Sequence, residues 1–381
     1  MLRRLKFLQA AIFLALLAPL HAGLDDAVKA LATTGREGSG NEAASAAWKS
    51  VVAEGPRALP ALLAATGKGG PVADNWLRLA GDAITDAALH AKQPLPLAVV
   101  EAFLKDTKNV AAARQLAFDL IGKADPALAD KIEPDLIHDP VQELRRGAVQ
   151  RLVVAAKAKT GDDSKAAYLH ALDVVRDEDQ TNEIAGELKK LGVTVDLPRH
   201  FGFLMKWNVI GPFDNTNREG FAKVFPPEKE IKLDAAYNRD GSAVDKLDAA
   251  YDGKGAARWR AFESKDERGK LDFNKPFRSL KEVTGYAVTT FDSPAERDAE
   301  LRLGCKNGWK VWLNGELLFG RDEYHRGAQM DQYKLKCRLK KGANTILVKC
   351  CQNEQTEQWT VEWEFQLRVC DSTGTAILAA K

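Results

Sequence analysis

The residue types best suited to chemistry are concentrated in one polar segment, GRDEYHRGAQMD (residues 320–331). Recognition of a sugar needs an aromatic face for stacking and planar polar groups that bond to hydroxyls. Five residues in or near this segment could supply those groups: Trp309, Tyr324, His325, Arg326 and Asp331. The segment lies between two apolar runs, where the binding loops of β-sandwiches usually lie. The alternative is a solvated loop in which arginine and acidic side chains pair locally.

The same segment contains three carboxylates, Asp322, Glu323 and Asp331, which could act as acid and base in a hydrolase. Glycoside cleavage requires two carboxylates about 5–9.5 Å apart across a groove, and the spacing here does not indicate such a pair. The sequence contains no H-E-x-x-H, G-x-S-x-G or P-loop pattern. We therefore expect no catalytic residues and no enzyme activity, and rank a hydrolase as the last alternative.

The cysteines all lie in the second half of the chain: Cys305, Cys337, Cys350, Cys351 and Cys370. No C-x-x-C pair is present and the six histidines are scattered, so we expect no metal site and no cofactor. In an oxidising compartment one or two disulfides could cross the β domain predicted below. Burial as small apolar residues is the equal alternative. Strand alternation should send Cys350 and Cys351 to opposite faces.

A second polar segment, CQNEQTEQW (residues 351–359), carries Asn353, Gln355 and Trp359. Amides and an aromatic ring are again the groups that sugar recognition requires. This segment could line the same end of the β domain as residues 320–331.

The composition of the chain changes near residue 200. Residues 23–200 contain 35 Ala, two Trp and no Cys, whereas residues 201–381 contain 17 Ala, six Trp and all five Cys. Alanine favours helices, and aromatic residues favour half-buried sheet surfaces. The sequence therefore predicts an α-helical region over residues 23–198 and a β domain over residues 199–381.

In the helical region, Asp125-Pro126 and Asp139-Pro140 each predict a helix start, with Asp as the N-cap and Pro in the first turn. The segment HDPVQELRRGAVQRL (residues 138–152) resembles a HEAT-type repeat. That resemblance implies stacked helix pairs that bind other proteins. A plain helical bundle is an equal alternative.

The second half has the alternation and turn signals of short strands. The predicted strands are residues 206–215, 285–293, 300–305, 309–319, 333–339, 345–351 and 359–370. Asn314-Gly315 is a strong hairpin signal inside the fourth of these runs. So many short strands predict an antiparallel β-sandwich.

The order LRLGCKNGWKVWLNGELLF, DQYKLKCRLKKGANTILVKCCQ and WEFQLRVCDSTG resembles a galactose-binding-like jelly-roll domain. WNVIGPFDN, upstream of these strands, resembles the lead-in to this module in exported proteins of planctomycete-type bacteria. The resemblance covers about half of the chain and implies a fold more than an activity, because sandwiches host many unrelated functions.

Residues 1–22, MLRRLKFLQAAIFLALLAPLHA, have the layout of a secretory signal peptide that is cleaved after Ala22. The apolar run is shorter than the roughly 20 residues that span a bilayer, so an uncleaved anchor is the lesser alternative. Without its three basic residues, 52 Lys and Arg face 53 Asp and Glu, a net charge of −1. Such a balance does not favour binding to nucleic acid.

These observations predict a two-domain α+β protein with N-terminal HEAT-like helices and a C-terminal jelly-roll sandwich. We expect a periplasmic or secreted, non-catalytic binding protein without stable membrane insertion. The sandwich would bind a carbohydrate or cell-envelope polymer, and the helices would dock a protein partner. The first alternative is a structural or assembly protein that binds only other proteins.

Overall fold

The computed structural model describes residues 23–244 and 256–380 of the chain. The predicted signal peptide therefore lies outside the described residues. The chain divides into two compact units, one ending at Val175 and the other beginning at Arg176. The first unit is helical and the second contains antiparallel sheets, so the predicted two-domain α+β fold is confirmed.

The first unit consists of successive amphipathic helices. They are α1 (residues 23–32), α2 (Asn41–Ala53), α3 (Leu59–Ala65), α4 (Pro71–His90), α5 (Leu97–Lys105), α6 (Ala111–Ala124), α7 (Pro126–Ile132), α8 (Gln142–Lys157) and α9 (Gly161–Val174). Leu77 and Ile84 of α4 and Leu116 and Ile121 of α6 are buried in one apolar cluster. Leu77 and Ile84 are seven residues apart, and Leu116 and Leu120 are four apart, which places each pair on one face of its helix. Whether these helices form HEAT repeats stays a prediction.

The two Asp-Pro pairs behave differently. Asp125 caps α7 as predicted, because its carboxylate accepts a hydrogen bond from the Leu128 amide at 3.0 Å. The prediction for Asp139 was wrong, since α8 begins only at Gln142. The Asp139 carboxylate instead accepts two hydrogen bonds from Arg114, at 2.7 and 2.5 Å. The buried Arg114 guanidinium needs a counterion, and Asp139 supplies it.

The second unit begins with two helices, α10 (Glu178–Lys190) and α11 (Leu197–Phe201). The two units therefore meet between Val175 and Arg176, earlier in the chain than the boundary that the sequence predicts at residues 198–199. Both helices contact the sheet domain of their own unit. Glu178 lies 3.1 Å from Arg268, and the Phe201 carbonyl accepts a hydrogen bond from Arg368 at 3.0 Å.

Twelve named strands follow among the described residues. They are β1 (Lys206–Asp214), β2 (Ala236–Asn238), β3 (Ala256–Arg258), β4 (Arg260–Glu263), β5 (Lys270–Asp272), β6 (Val283–Ser293), β7 (Arg297–Cys305), β8 (Gly308–Leu313), β9 (Glu316–Arg321), β10 (Tyr333–Leu339), β11 (Gly342–Gln352) and β12 (Glu364–Cys370). Short helices α12 (Pro226–Lys229) and α13 (Asn274–Phe277) lie in the connections.

Two open antiparallel sheets form the body of this unit. The larger has the strand order β4-β1-β6-β11-β8-β9, and the smaller has the order β10-β7-β12-β5. Val209 and Val348 from the larger sheet and Leu301 and Phe365 from the smaller share one buried cluster. The predicted antiparallel sandwich is confirmed, and β2 and β3 pair separately.

Local turn chemistry explains one success and one error of the strand prediction. Asn314 and Gly315 both have positive φ, 53° and 86°, as a tight hairpin between β8 and β9 requires. The run predicted from residue 359 becomes a strand only at Glu364. Gln358–Thr360 form a 3-10 turn instead, because the Thr360 hydroxyl donates to the Glu357 carbonyl at 2.7 Å.

Within the described ranges, no helix combines the length and the apolarity needed to cross a membrane.

Candidate functional site

Three loops of the second unit meet at one end of the sandwich: residues 215–221, 320–331 and 352–360. Asn215 Nδ2 donates to the Tyr324 hydroxyl at 3.3 Å and to the Gln352 carbonyl at 2.8 Å. His325 Nε2 lies 3.0 Å from Asn353 Oδ1. These contacts confirm the prediction that the segment at residues 351–359 lines the same end as residues 320–331.

Tyr324 is the half-buried centre of this cluster. The Arg218 guanidinium lies 5.2 Å from the centre of its ring, within cation–π distance. Gly308 permits the close approach of the ring, because a Cβ at that position would lie 3.1 Å from the phenol oxygen. Burial is the main reason that the pKa of Tyr324 is raised well above its ordinary value. The hydroxyl therefore stays protonated at neutral pH and can donate a hydrogen bond.

His325 is held by its backbone as well as by its ring. Its amide donates to the Lys306 carbonyl at 2.6 Å, and its φ of 60° is in the left-handed region. Because an amide oxygen can only accept, Nε2 donates the proton in its contact with Asn353 Oδ1. The ring also meets the Trp359 ring edge to face, with centroids 5.1 Å apart.

Trp359 is the exposed aromatic residue of the site, with 58% of its surface accessible. The turn that carries it is held by Thr360, whose hydroxyl donates to the Gln355 carbonyl at 2.9 Å. In the same loop, Asn353 Nδ2 donates to Gln355 Oε1 at 2.9 Å. The geometry thus presents an exposed ring, fixed by its turn and by His325, in a loop that also carries two side-chain amides.

Arg218 and Glu354 form an ion pair at the rim of the same end. Arg218 Nε donates to Glu354 Oε2 at 3.0 Å, and the second guanidinium nitrogen contacts Oε1. The hydrogen bond from Arg218 is the main cause that lowers the pKa of Glu354 to about 2. Both side chains are nearly half exposed, so the pair orients the arginine more than it stabilises the fold.

Unusual backbone conformations are concentrated in these loops. Asn217, Arg218, His325 and Asp331 all have φ between 56° and 64°. Such values are uncommon for residues other than glycine, and they persist where the surrounding contacts enforce them. The Asn217 amide donates to Glu282 Oε1 at 3.3 Å, which is one of those contacts.

Trp309 does not belong to the site, and its assignment as a stacking residue was wrong. It is completely buried, and its ring packs 4.7 Å from that of Tyr333. The alternation of β8 explains this placement, because Trp309, Val311 and Leu313 all point into the core between the sheets.

Asp331 does not make the ligand contact predicted for it, because two arginines occupy its carboxylate. Arg368 donates to both of its oxygens at 2.6 Å, and Arg302 donates to Oδ2 at 2.6 Å. Both arginines are buried on the outer face of the smaller sheet. Burial alone would raise the pKa of Asp331, but the hydrogen bonds and charges of Arg368 and Arg302 outweigh it and lower the pKa. The residue is a structural counterion, which also removes it from the proposed hydrolytic pair.

The remaining charged residues of the 320–331 loop lie near the surface. Glu323 lies 3.3 Å from Arg321 and 3.7 Å from Arg326, and Arg326 is exposed. The pKa of Asp322 is raised, because partial burial outweighs the charges of Arg218 and Lys310. Arg326 is therefore exposed enough to contact a ligand. It also pairs with Glu323, as expected if residues 320–331 form an ordinary solvated loop.

Sequence reasoning missed Asn215, Arg218 and Asn307. Asn307 Nδ2 donates to Gln352 Oε1 at 3.1 Å and to the Glu362 carbonyl at 3.0 Å, beneath the site. The available signal was the run DNTNREG after β1, which is rich in residues that adopt turn conformations. In the part of the chain that the structure describes, no group of three or more His, Cys, Asp or Glu residues is placed to hold a metal ion.

No protein-family model matches the sequence, and a search of curated proteins found no match. Solved structures match in part. A family 35 carbohydrate binding module from Clostridium thermocellum is 11% identical, with a TM-score of 0.18, over 42% of this chain and 98% of the module.

Two enzymes are matched at a similar level. The FMN-binding beta-glucuronidase from Facaelibacterium prausnitzii L2-6 is 12% identical, with a TM-score of 0.23, over 37% of this chain and 22% of the enzyme. The beta-glucosidase from Kluyveromyces marxianus is 11% identical, with a TM-score of 0.27, over 76% of this chain and 35% of the enzyme. The chain thus spans a minor part of the length of these enzymes, and likeness at this level carries no information about activity.

Proposed function

We propose that this protein is an exported, non-catalytic binding protein whose sandwich holds a carbohydrate or cell-envelope polymer. The ligand would bind at the loop cluster formed by Arg218, Tyr324, His325, Asn353 and Trp359. The observation that carries the proposal is the exposed Trp359 ring, held edge-on by His325 in a loop that also carries two side-chain amides.

The physical basis is the two-sided chemistry of a sugar ring. Its C–H face packs on an aromatic ring, while its hydroxyls bond to planar polar groups. Trp359 supplies the first surface, and Gln355 and Arg218, in loops at the same end of the sandwich, supply polar groups. Because the Trp359 turn is already fixed by Thr360, binding would cost little loop ordering.

The absence of catalysis is part of the proposal. It is supported by the engagement of Asp331 with two arginines, which occupies the carboxylate that a hydrolytic pair would have needed. Glu323 likewise lies close to two arginines, Arg321 and Arg326.

The helical unit would dock a protein partner, as its resemblance to a HEAT-type repeat implies. Leu79, Val99 and Val154 each expose more than half of their surface there, which is compatible with such a contact. Export would place both units outside the cytoplasm.

The proposal is tested by screening the full chain on an array of glycans and cell-wall polysaccharides. We expect saturable binding to one class of sugar. Trp359→Ala should weaken that binding by at least about tenfold, because it removes the stacking surface.

Phe319→Ala is the matched control, since Phe319 is an aromatic residue of β9 with 47% of its surface exposed. It should bind like the unaltered protein. Binding that survives Trp359→Ala would refute the site, and a silent array would favour the alternative of a protein that binds only other proteins.

A further inference from the structure

Two buried thiols meet in the core beneath the candidate site. Cys305 ends β7 in the smaller sheet, and Cys350 lies in β11 of the larger sheet. Their sulfur atoms are 3.9 Å apart, and neither residue exposes more than 1% of its surface. Both are free thiols in the structure.

The two sheets approach each other closely at this point. The chain leaves β7 at Cys305 and enters β8 of the opposite sheet at Gly308, so only Lys306 and Asn307 separate the sheets. A disulfide has an S–S length of about 2.05 Å and needs Cβ atoms about 3.5–4.5 Å apart. The sulfur atoms lie 3.9 Å apart in the reduced pair, so bond formation requires side-chain rotations that bring them about 1.9 Å closer.

The neighbouring thiols have other contacts. Cys351 accepts a hydrogen bond from the Thr284 hydroxyl at 3.4 Å, on the opposite face of β11 from Cys350. Cys370 lies 3.8 Å from the Glu300 carbonyl. Cys337 is half-buried on β10, and burial raises the pKa of its thiol to about 11.

We propose that Cys305 and Cys350 form a disulfide in the mature protein. One thiolate attacks a disulfide oxidant such as glutathione disulfide, which releases one thiol and leaves a mixed disulfide. The second thiolate then attacks the cysteine sulfur of that mixed disulfide and releases the other thiol. Two cysteine thiols are thereby oxidised and one disulfide is reduced. Because both thiols are buried in the folded sandwich, the exchange takes place during folding.

This disulfide would cross-link the two sheets next to the residues that hold the site. Cys305 directly precedes Lys306, whose carbonyl holds the His325 amide. Cys350 lies two residues before Gln352, which accepts hydrogen bonds from Asn215 and Asn307. The cross-link closes a loop of 45 residues and restricts the unfolded chain accordingly.

The test is peptide mapping of the full chain after refolding in a glutathione redox buffer, with free thiols alkylated by N-ethylmaleimide in denaturant at mildly acidic pH. Trypsin cleaves the sequence after Arg302, Lys306, Lys349 and Arg368. We expect a non-reducing digest to contain residues 303–306 linked to residues 350–368, with a mass two hydrogens below the sum of the peptides.

The second peptide contains both Cys350 and Cys351, so two variants assign the bond. Cys350→Ser should abolish the linked peptide, whereas Cys351→Ser should retain it. Reduction of the unaltered protein should also lower its Tm by roughly 5–15 °C. Five alkylated thiols in the refolded protein, or a link through any other pair, would overturn the proposal.

Discussion

At the scale of single residues, the structure assigns Asp331 to the fold rather than to a ligand. Its carboxylate bonds to Arg302 and Arg368, and Arg302 also contacts Glu300 at 2.8 Å. Removing one member of such a buried network leaves uncompensated charge. Substitution of Asp331 should therefore lower the free energy of unfolding.

We predict that Asp331→Asn lowers the free energy of unfolding by about 3 kcal/mol, because it leaves two buried guanidinium groups without their shared anion. Urea denaturation of the full chain measures this difference. Asp298→Asn is the matched control, since Asp298 pairs with Arg338 at an exposed position and should change little. Equal stability of Asp331→Asn and the unaltered protein would contradict the assignment.

The same residue makes stability depend on pH. The pKa of Asp331 is lower in the folded protein than its ordinary value of about 3.9. Its contribution is therefore complete above about pH 4 and is lost as the pH falls through the folded pKa. The difference in stability between the unaltered protein and Asp331→Asn should shrink over that range. If this difference in stability stays constant down to the lowest pH tested, the charge of the Asp331 carboxylate is not its cause.

The sequence could identify His325, Tyr324 and the second polar loop, because aromatic and amide side chains cluster in short segments. It could also have placed Trp309 inside, since Trp309 shares a strand face with Val311 and Leu313. The sequence could not identify Arg218 as a residue of the site, because its partner Glu354 lies 136 residues away in the chain. Only the fold brings two such residues together.

At the scale of elements, one buried lysine attaches the segment that carries Arg218 to the larger sheet. Lys349 of β11 is completely buried, and its ammonium donates to the carbonyls of Phe221 and Lys223 at 3.1 and 2.7 Å. It also donates to Glu228 Oε1 at 2.8 Å. Burial lowers the pKa of Lys349, but these three acceptors match the three protons of a charged ammonium.

We predict that Lys349→Met lowers the free energy of unfolding by at least about 3 kcal/mol, because Glu228 loses its buried partner. The segment that carries Arg218 should loosen, and chymotrypsin should cleave after Phe221 sooner than in the unaltered protein. Lys336→Met, at an exposed position of β10, is the control. Unchanged stability and unchanged cleavage would show that the segment is held by other contacts.

Strand positions were largely predictable because alternation and turn residues are local signals. Asn314-Gly315 confirms this, whereas Gln358–Thr360 show where a side-chain hydrogen bond overrides a strand-like pattern. The error at Asp139 has a similar cause, because its partner Arg114 lies on another helix. Side-chain hydrogen bonds, one of them part of a long-range ion pair, therefore account for these two errors.

At the scale of the whole molecule, the change in composition near residue 200 predicted the order of helical and sheet regions. It did not place their division, because α10 belongs to the second unit although its sequence is helical. Composition reports the type of secondary structure, whereas a domain is defined by packing. Export, the helical partner and the sugar ligand remain proposals about this two-unit chain.

The most direct test of the central claim is oxidative footprinting of the full chain with and without the glycan that the array selects. The tryptic peptide 350–368 contains Trp359, which is 58% exposed, and Trp363, which is completely buried and serves as an internal reference. We predict that hydroxyl radicals oxidise Trp359 in the free protein and that the bound glycan protects it. Undiminished oxidation of Trp359 at saturating glycan would contradict the account.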